Sequence, residues 1–293
     1  MADVISNEGL VHIFGSGHSV LPVQDMFPRY GSYPGFRPLM DMRLMWTNVI
    51  GSGGAKGLLW LERREGYAQV LFENEPIRKG DVMLVFSHGG LNAVGIEVLI
   101  EARKRGLSTV AVTSMDNYAK RKATHSSGKK LADVADIVID NCTPAEDALV
   151  NIDGWKAPVA AGSTVASVTI AMSLVAQVAA NLGAKGQTPP VFVSPNVLGI
   201  PPDQMNRVYG EYEAGGTQVL YLSSVSLQKI GLPKLGSTSI GHYATKVTSV
   251  IYKWLVGPVV VAGIFGFFIR RNWDRHESER LEHEEKTGYP DQL

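Results

Sequence analysis

Short apolar runs, each followed by a loop of small residues and then a helical stretch, organise the first two hundred residues. Val82–Phe86 (VMLVF) is bounded by Gly80-Asp81 before it and by Ser87-His88-Gly89-Gly90 after it, the pattern of a strand buried on both faces. From Asn92 the apolar residues Val94, Val98, Leu99 and Ala102 recur at helical spacing, and the run closes on Arg103, Lys104, Arg105 and Gly106. Cations followed by glycine end a helix. Val110–Val112 then predicts a second buried strand. Strand, loop, helix and strand in about thirty residues make one right-handed βαβ unit of a parallel sheet.

The same grammar recurs on either side. Leu10–Phe14 (LVHIF) leads through Gly15-Ser16-Gly17-His18-Ser19 into a predicted helix, Val20–Phe27. Tyr30–Pro38, rich in Gly, Pro and aromatics, predicts a loop, and Gly51–Gly54 break the stretch after it. Tyr67–Phe72 predicts a short amphipathic helix, with Glu62, Arg63, Arg64 and Glu65 before it as a solvated charged face. Ile137–Ile139 and Val191–Val193 predict further strands, and Ala145–Val150 a loop or short helix. Ala160–Leu182 predicts a long helix whose Gly162, Ser163, Thr164, Ser167, Thr169, Ser173 and Gln177 are too polar for a membrane span. Burial against a sheet or another subunit accounts for it.

The last eighty residues differ in kind. Residues 215–245 are Ser/Gly/Leu-rich and weakly patterned, as in a linker. Trp254–Ile269 then runs sixteen residues without a charge, and with the residues before it reaches the length of a bilayer core. Trp254 at one end and Arg270, Arg271 and Trp273 at the other suit the two interfaces. The expected organisation is a globular domain over 1–214, a linker over 215–245, a single transmembrane helix over 246–271 and a charged tail over 272–293. A buried soluble helix is the alternative for the third segment.

Lys plus Arg and Asp plus Glu both number 28, so no basic surplus points to nucleic acid. The single cysteine, Cys142, excludes an internal disulfide. Met1–Glu8 lacks the apolar core of a cleavable signal. The expected location is therefore a cytoplasmic domain anchored to a membrane by its C-terminal span.

Candidate chemistry gathers in the loops after the strands, because ligands of open α/β sheets bind beyond the strands' carboxyl ends. Gly15, Ser16, Gly17, His18 and Ser19 form one loop, and Ser87, His88, Gly89, Gly90 and Asn92 the other. Small hydroxyls and backbone N–H groups at helix starts suit a phosphate. His18 and His88 are donors or acid/base groups, or else solvated loop histidines. Neither has a second His or Cys at metal-ligand spacing, so no metal and no cofactor is expected. Ser126, Ser127 and Lys129, within HSSGKKL, add a third phosphate-suited segment or simply a polar loop. Glu97, in the helix after the second loop, is the carboxylate expected to move a proton, with His88 second; the alternative is a surface pair with Arg103 or Lys104.

VHIFGSGHS, VFSHGGLNAVGIEVLIEARKRGLSTVAVTS, HSSGKKLADVADIVIDN and PPVFVSPN, in that order, resemble the sugar isomerase (SIS) domain family, particularly its stand-alone phosphosugar-binding members. The resemblance covers about Gly9 to Tyr212. It implies a three-layer α/β/α sandwich on a mainly parallel five-stranded sheet, a phosphosugar site at the strand carboxyl ends, and a homodimer or higher oligomer. Two departures stand out. The family's long first helix is missing before the first strand, and Gly89 replaces the second serine of the usual Ser-x-Ser-Gly loop. Function is expected to be phosphosugar binding, with aldose-ketose isomerase or related lyase activity, or a non-catalytic membrane-attached sensor.

Overall fold

The computed structural model describes residues 1–45, 54–73, 75–194, 196–197, 199–201 and 203–214. The linker, the span over 246–271 and the charged tail lie outside the described residues.

A five-stranded, wholly parallel sheet forms the middle layer. In chain order its strands are β1 (Val11–Gly15), β2 (Phe36–Leu39), β3 (Val82–Phe86), β4 (Ser108–Thr113) and β5 (Ile137–Asp140), and in space they run β2-β1-β3-β4-β5. The register of the central pair sets Ile13 beside Leu84 and Phe14 beside Val85. The helices ahead of the last crossovers are α1 (Ala2–Ser6), α2 (Val20–Met26), α3 (Gly54–Leu61), α4 (Tyr67–Phe72), α5 (Ala93–Lys104), α6 (Met115–Lys120) and α7 (Leu131–Val134).

Alternate residues of each strand go to opposite faces, and both faces are covered. Val11, Ile13, Leu84, Phe86 and Val112 share one core with Val23 and Met26 of α2. Phe14, Met83, Val85 and Ala111 share the other with Val94, Val98 and Leu99 of α5 and Leu131 of α7. This double burial is why the strands read as continuous apolar runs.

Two expectations about strands are corrected. The fifth strand is Phe36–Leu39, within the stretch expected to be loop; Arg37 and Pro38 interrupt its apolar pattern, and the proline is accommodated because β2 is the sheet's edge. Val191–Val193 is not a strand. Phe192 instead exchanges backbone hydrogen bonds with Gly31 and Ser32 at 2.8 and 2.7 Å and stacks on Tyr30 with ring centroids 5.5 Å apart. Ala145–Val150 contributes one strand of an antiparallel hairpin, β6 (Ala148–Val150) with β7 (Val159–Ala161).

The long helix α8 (Ser163–Ala184) follows, then α9 (Gln204–Ala214). Among the described residues α8 alone is long and apolar enough to cross a membrane by length and composition. Its stripe Ser167, Ala171, Val175, Val178 and Leu182 is buried, the aliphatic members lying in the core under α2. The Tyr33 hydroxyl donates to the Val175 carbonyl at 2.7 Å.

Candidate functional site

After β1 the chain turns outward to β2, and after β3 it turns the other way to β4. The adjacent carboxyl ends of β1 and β3 are thus the point where strand order reverses, the place where parallel sheets open a crevice. Both Gly/Ser loops emerge there.

The first loop is tight. A side chain on Gly15 would meet the Ser19 carbonyl oxygen at 2.1 Å, so only glycine fits. Gly17 donates to the Leu44 carbonyl at 2.8 Å. Ser19 begins α2 without capping it through its side chain, and His18 is exposed.

The second loop is pinned through its carbonyls. His88 O accepts from Ser114 N at 3.0 Å and from the Thr113 hydroxyl at 3.2 Å. Gly89 O accepts from the Asn117 amide at 2.6 Å, and Gly90 O from Leu131 N at 2.9 Å. Because C=O and the following N–H point in opposite directions across a trans peptide, this turns the N–H groups of Gly89 and Leu91 the other way. Gly90 N donates to the Ser87 hydroxyl oxygen at 3.3 Å, which leaves the Ser87 hydroxyl proton available. At Gly90 φ is +60° and a side chain would meet Thr113 Oγ1 at 2.7 Å.

Glu62 joins the two loops. Rather than lying on a solvated face, it is 5% exposed. Its carboxylate accepts from the Ser16 hydroxyl at 2.9 Å and is also bonded by the Asn92 side chain. Its carbonyl accepts from Val94 N at 3.1 Å, in the first turn of α5. Burial pushes the carboxyl above its ordinary range, against the opposing pull of Ser16, Arg63 and Asn92. Ser16 and Asn92, expected as phosphate donors, therefore both turn to this carboxylate. A signal existed: Glu62 lies one helical turn beyond the buried Leu58.

His88 lies in the same loop. Its Nδ1 accepts from the Asn141 amide at 3.2 Å, which assigns the proton to Nε2. That nitrogen is buried without a partner.

The remaining expected residues sit in a neighbouring cluster. Glu97 Oε1 accepts from Gly66 N at 2.6 Å and Oε2 from Ala68 N at 3.5 Å, holding the start of α4. It pairs with neither Arg103, which meets Asp136, nor Lys104, which meets Glu101. Ser126 donates to Glu65 through both backbone and hydroxyl. Ser127 Oγ contacts His125 Nδ1 at 2.8 Å and accepts from Lys129 N at 3.3 Å. Thr124 Oγ1 donates to the Leu91 carbonyl at 2.7 Å, tying this segment to the second loop. A separate concavity lined by Asp3, Asn7, Gly9, Arg78 and Asp81 lies at the amino ends of β1 and β3, the opposite edge of the sheet.

Similarity to known proteins agrees with the strands and loops. Residues 1–114 match the SIS domain. A UPF0309 protein of Listeria innocua is 37% identical over 197 residues, covering 67% of this chain and 78% of its own length. One from Streptomyces avermitilis is 34% identical over 223 residues, covering 75% and 85%. Among solved structures, a phosphoheptose isomerase from Francisella tularensis aligns over 61% of this chain and 80% of its own, with a TM-score of 0.37 at 15% identity. With the SIS domain spanning β1 to β4 and relatives of this likeness spanning most of their length, the chain belongs to the UPF0309 family of SIS-domain proteins.

Proposed function

We propose that the crevice between β1 and β3 binds a phosphorylated sugar and that Glu62 moves a proton between its adjacent carbons, as in aldose-ketose isomerisation. The observation that carries this is the convergence of Ser16 from one loop and Asn92 from the other on a buried carboxylate whose proton affinity is raised. A carboxyl poised closer to neutrality is the better general acid and base. The phosphate lies on the N–H groups of Gly89 and Leu91 with the Ser19 and Ser87 hydroxyls, and His88 Nε2 donates to a sugar oxygen. The matching SIS domain supports the ligand class.

A thermal-shift panel of phosphosugars tests it, since ligand at a hundred times its dissociation constant adds about 2.7 kcal/mol. A hit followed by turnover that Glu62→Gln abolishes supports the enzyme. A hit with no turnover supports the second reading, a phosphosugar sensor, and no hit across the panel sinks both.

The apolar run within 246–271 is read as an anchor holding the 1–214 domain at a membrane through the 215–245 linker, with 272–293 as a solvated tail. Full-length protein that stays in the supernatant after ultracentrifugation without detergent overturns the anchor. Assembly into a dimer or larger oligomer is read by light scattering.

A further inference from the structure

Glu65, Glu97 and His125 bring one ligand atom each within 4.8 Å of one another. His125 is the informative member. Its side chain is only 7% exposed, and its Nε2 is buried without a hydrogen-bond partner, 3.7 Å from Glu97 Oε1 and 3.9 Å from Glu65 Oε2. Those separations exceed the roughly 3.2 Å limit of a hydrogen bond. A buried polar atom facing two carboxylates without touching either is left with its desolvation cost unmet. No lysine or arginine among the described residues pairs with Glu65 or Glu97; the one cationic side chain within 4 Å of them is His125 itself, when protonated.

The three groups are held from behind, as metal ligands are. His125 Nδ1 lies 2.8 Å from Ser127 Oγ and accepts from Ser127 N at 3.1 Å, so the neutral ring carries its proton on Nε2, facing the carboxylates; a bound ion takes that proton's place while Nδ1 turns donor to Ser127 Oγ. Glu97 is fixed by Gly66 N and Ala68 N, and Glu65 by the backbone and hydroxyl of Ser126. Each carboxylate retains lone pairs for a cation. With metal–ligand bonds of about 2.0 to 2.1 Å, a tetrahedral set has its ligand atoms about 3.3 Å apart. The observed cluster is about half an ångström wider at each His contact, a gap that small side-chain rotations close.

We propose that Glu65, Glu97 and His125 form a site for a divalent transition-metal ion. One imidazole with two carboxylates suits zinc or manganese, and three protein ligands leave a coordination position open. The ion ties the start of α4 and the first half of α5 to the 121–130 segment, which Thr124 fastens to Leu91 beside the second loop. This goes beyond the phosphosugar reading and does not rest on it, because the test contains no sugar.

Full-length protein stripped with chelator is titrated with Zn²⁺ alone, with metal content read by elemental analysis and melting by circular dichroism. Expected are one Zn²⁺ per chain and a higher melting temperature. In His125→Ala and Glu97→Gln, affinity falls by more than the about 10- to 100-fold that losing a ligand's supporting hydrogen bond costs, while the chelated variants still melt cooperatively. Failure of the wild type to take up Zn²⁺ overturns the site, as does uptake that both variants retain. Should a variant not fold, wild type loaded with Co²⁺ decides: visible absorption of nitrogen and oxygen ligation supports the site, and a thiolate charge-transfer band, which only Cys142 can supply, overturns it.

Discussion

The Ser16 hydroxyl donates to the Glu62 carboxylate at 2.9 Å across 46 residues of sequence. It links the loop after β1 to the residue that also receives Val94 N at the start of α5. Removing this donor with Ser16→Ala leaves a buried carboxylate short of a partner, at a cost of about 1 to 3 kcal/mol. Urea denaturation at pH 7 measures it; an unchanged midpoint means Glu62 is satisfied without Ser16.

Glu62 itself predicts a pH dependence. Its folded carboxyl binds a proton more tightly than the unfolded one, so the folded state holds more protons just above the ordinary carboxylate value, and stability falls as pH rises above about 4.5. In Glu62→Gln this decline is absent. Denaturation series of the two proteins between pH 4 and 7.5 give the comparison, and parallel curves contradict it.

His12 acts in the opposite sense. Fully buried and donating to Asp81 at 2.9 Å, it is held below its ordinary range chiefly by burial, with Asp81 opposing. The unfolded state takes up the proton first as pH drops, so stability is lost on acidification below about 6.5. The wild type minus His12→Gln difference in denaturation midpoint shrinks from pH 7 to pH 5 if this is correct and stays constant if it is not.

Leu84 lies at the centre of β3, fully buried between the strands on either side. Leu84→Ala removes about 2 to 5 kcal/mol. A thermal melt within a degree of wild type contradicts the packing.

Ser87 holds Gly90 N through its oxygen, which leaves its hydroxyl proton for the phosphosugar in the function proposed above. Ser87→Ala weakens phosphosugar binding by about 1 to 3 kcal/mol, with the melting temperature of the free protein little changed. Titration calorimetry is the measurement. Equal affinities in wild type, Ser87→Ala and Ser19→Ala place the site elsewhere.

Strands buried on both faces were legible because nothing polar interrupts them: Val82–Phe86 is both a sequence pattern and a strand with those limits. Phe36–Leu39 escaped because an edge strand tolerates Arg37 and Pro38, while Val191–Val193 looked like a strand because Phe192 is buried by aromatic packing rather than by a ladder. The two loops were readable from their glycines. What joined them was not, because Glu62 sits in a run of charges whose neighbours are exposed, and only its spacing from Leu58 hints that it points inward. His125 was read merely as the start of a polar segment. Its proximity to Glu65 and Glu97 depends on three elements distant in sequence, which no local pattern reports.

Pro38 has a consequence for how the molecule meets its own kind. Its ring removes a backbone donor from β2, the first strand of the sheet, so an extended chain arriving at that border finds a broken row of hydrogen-bonding groups. β5, at the other border, has no proline and leaves Ile137 59% exposed. Strand-by-strand growth is therefore one-sided: a destabilised molecule that recruits another through its sheet does so at β5, and a lysine in place of Ile137 closes that route.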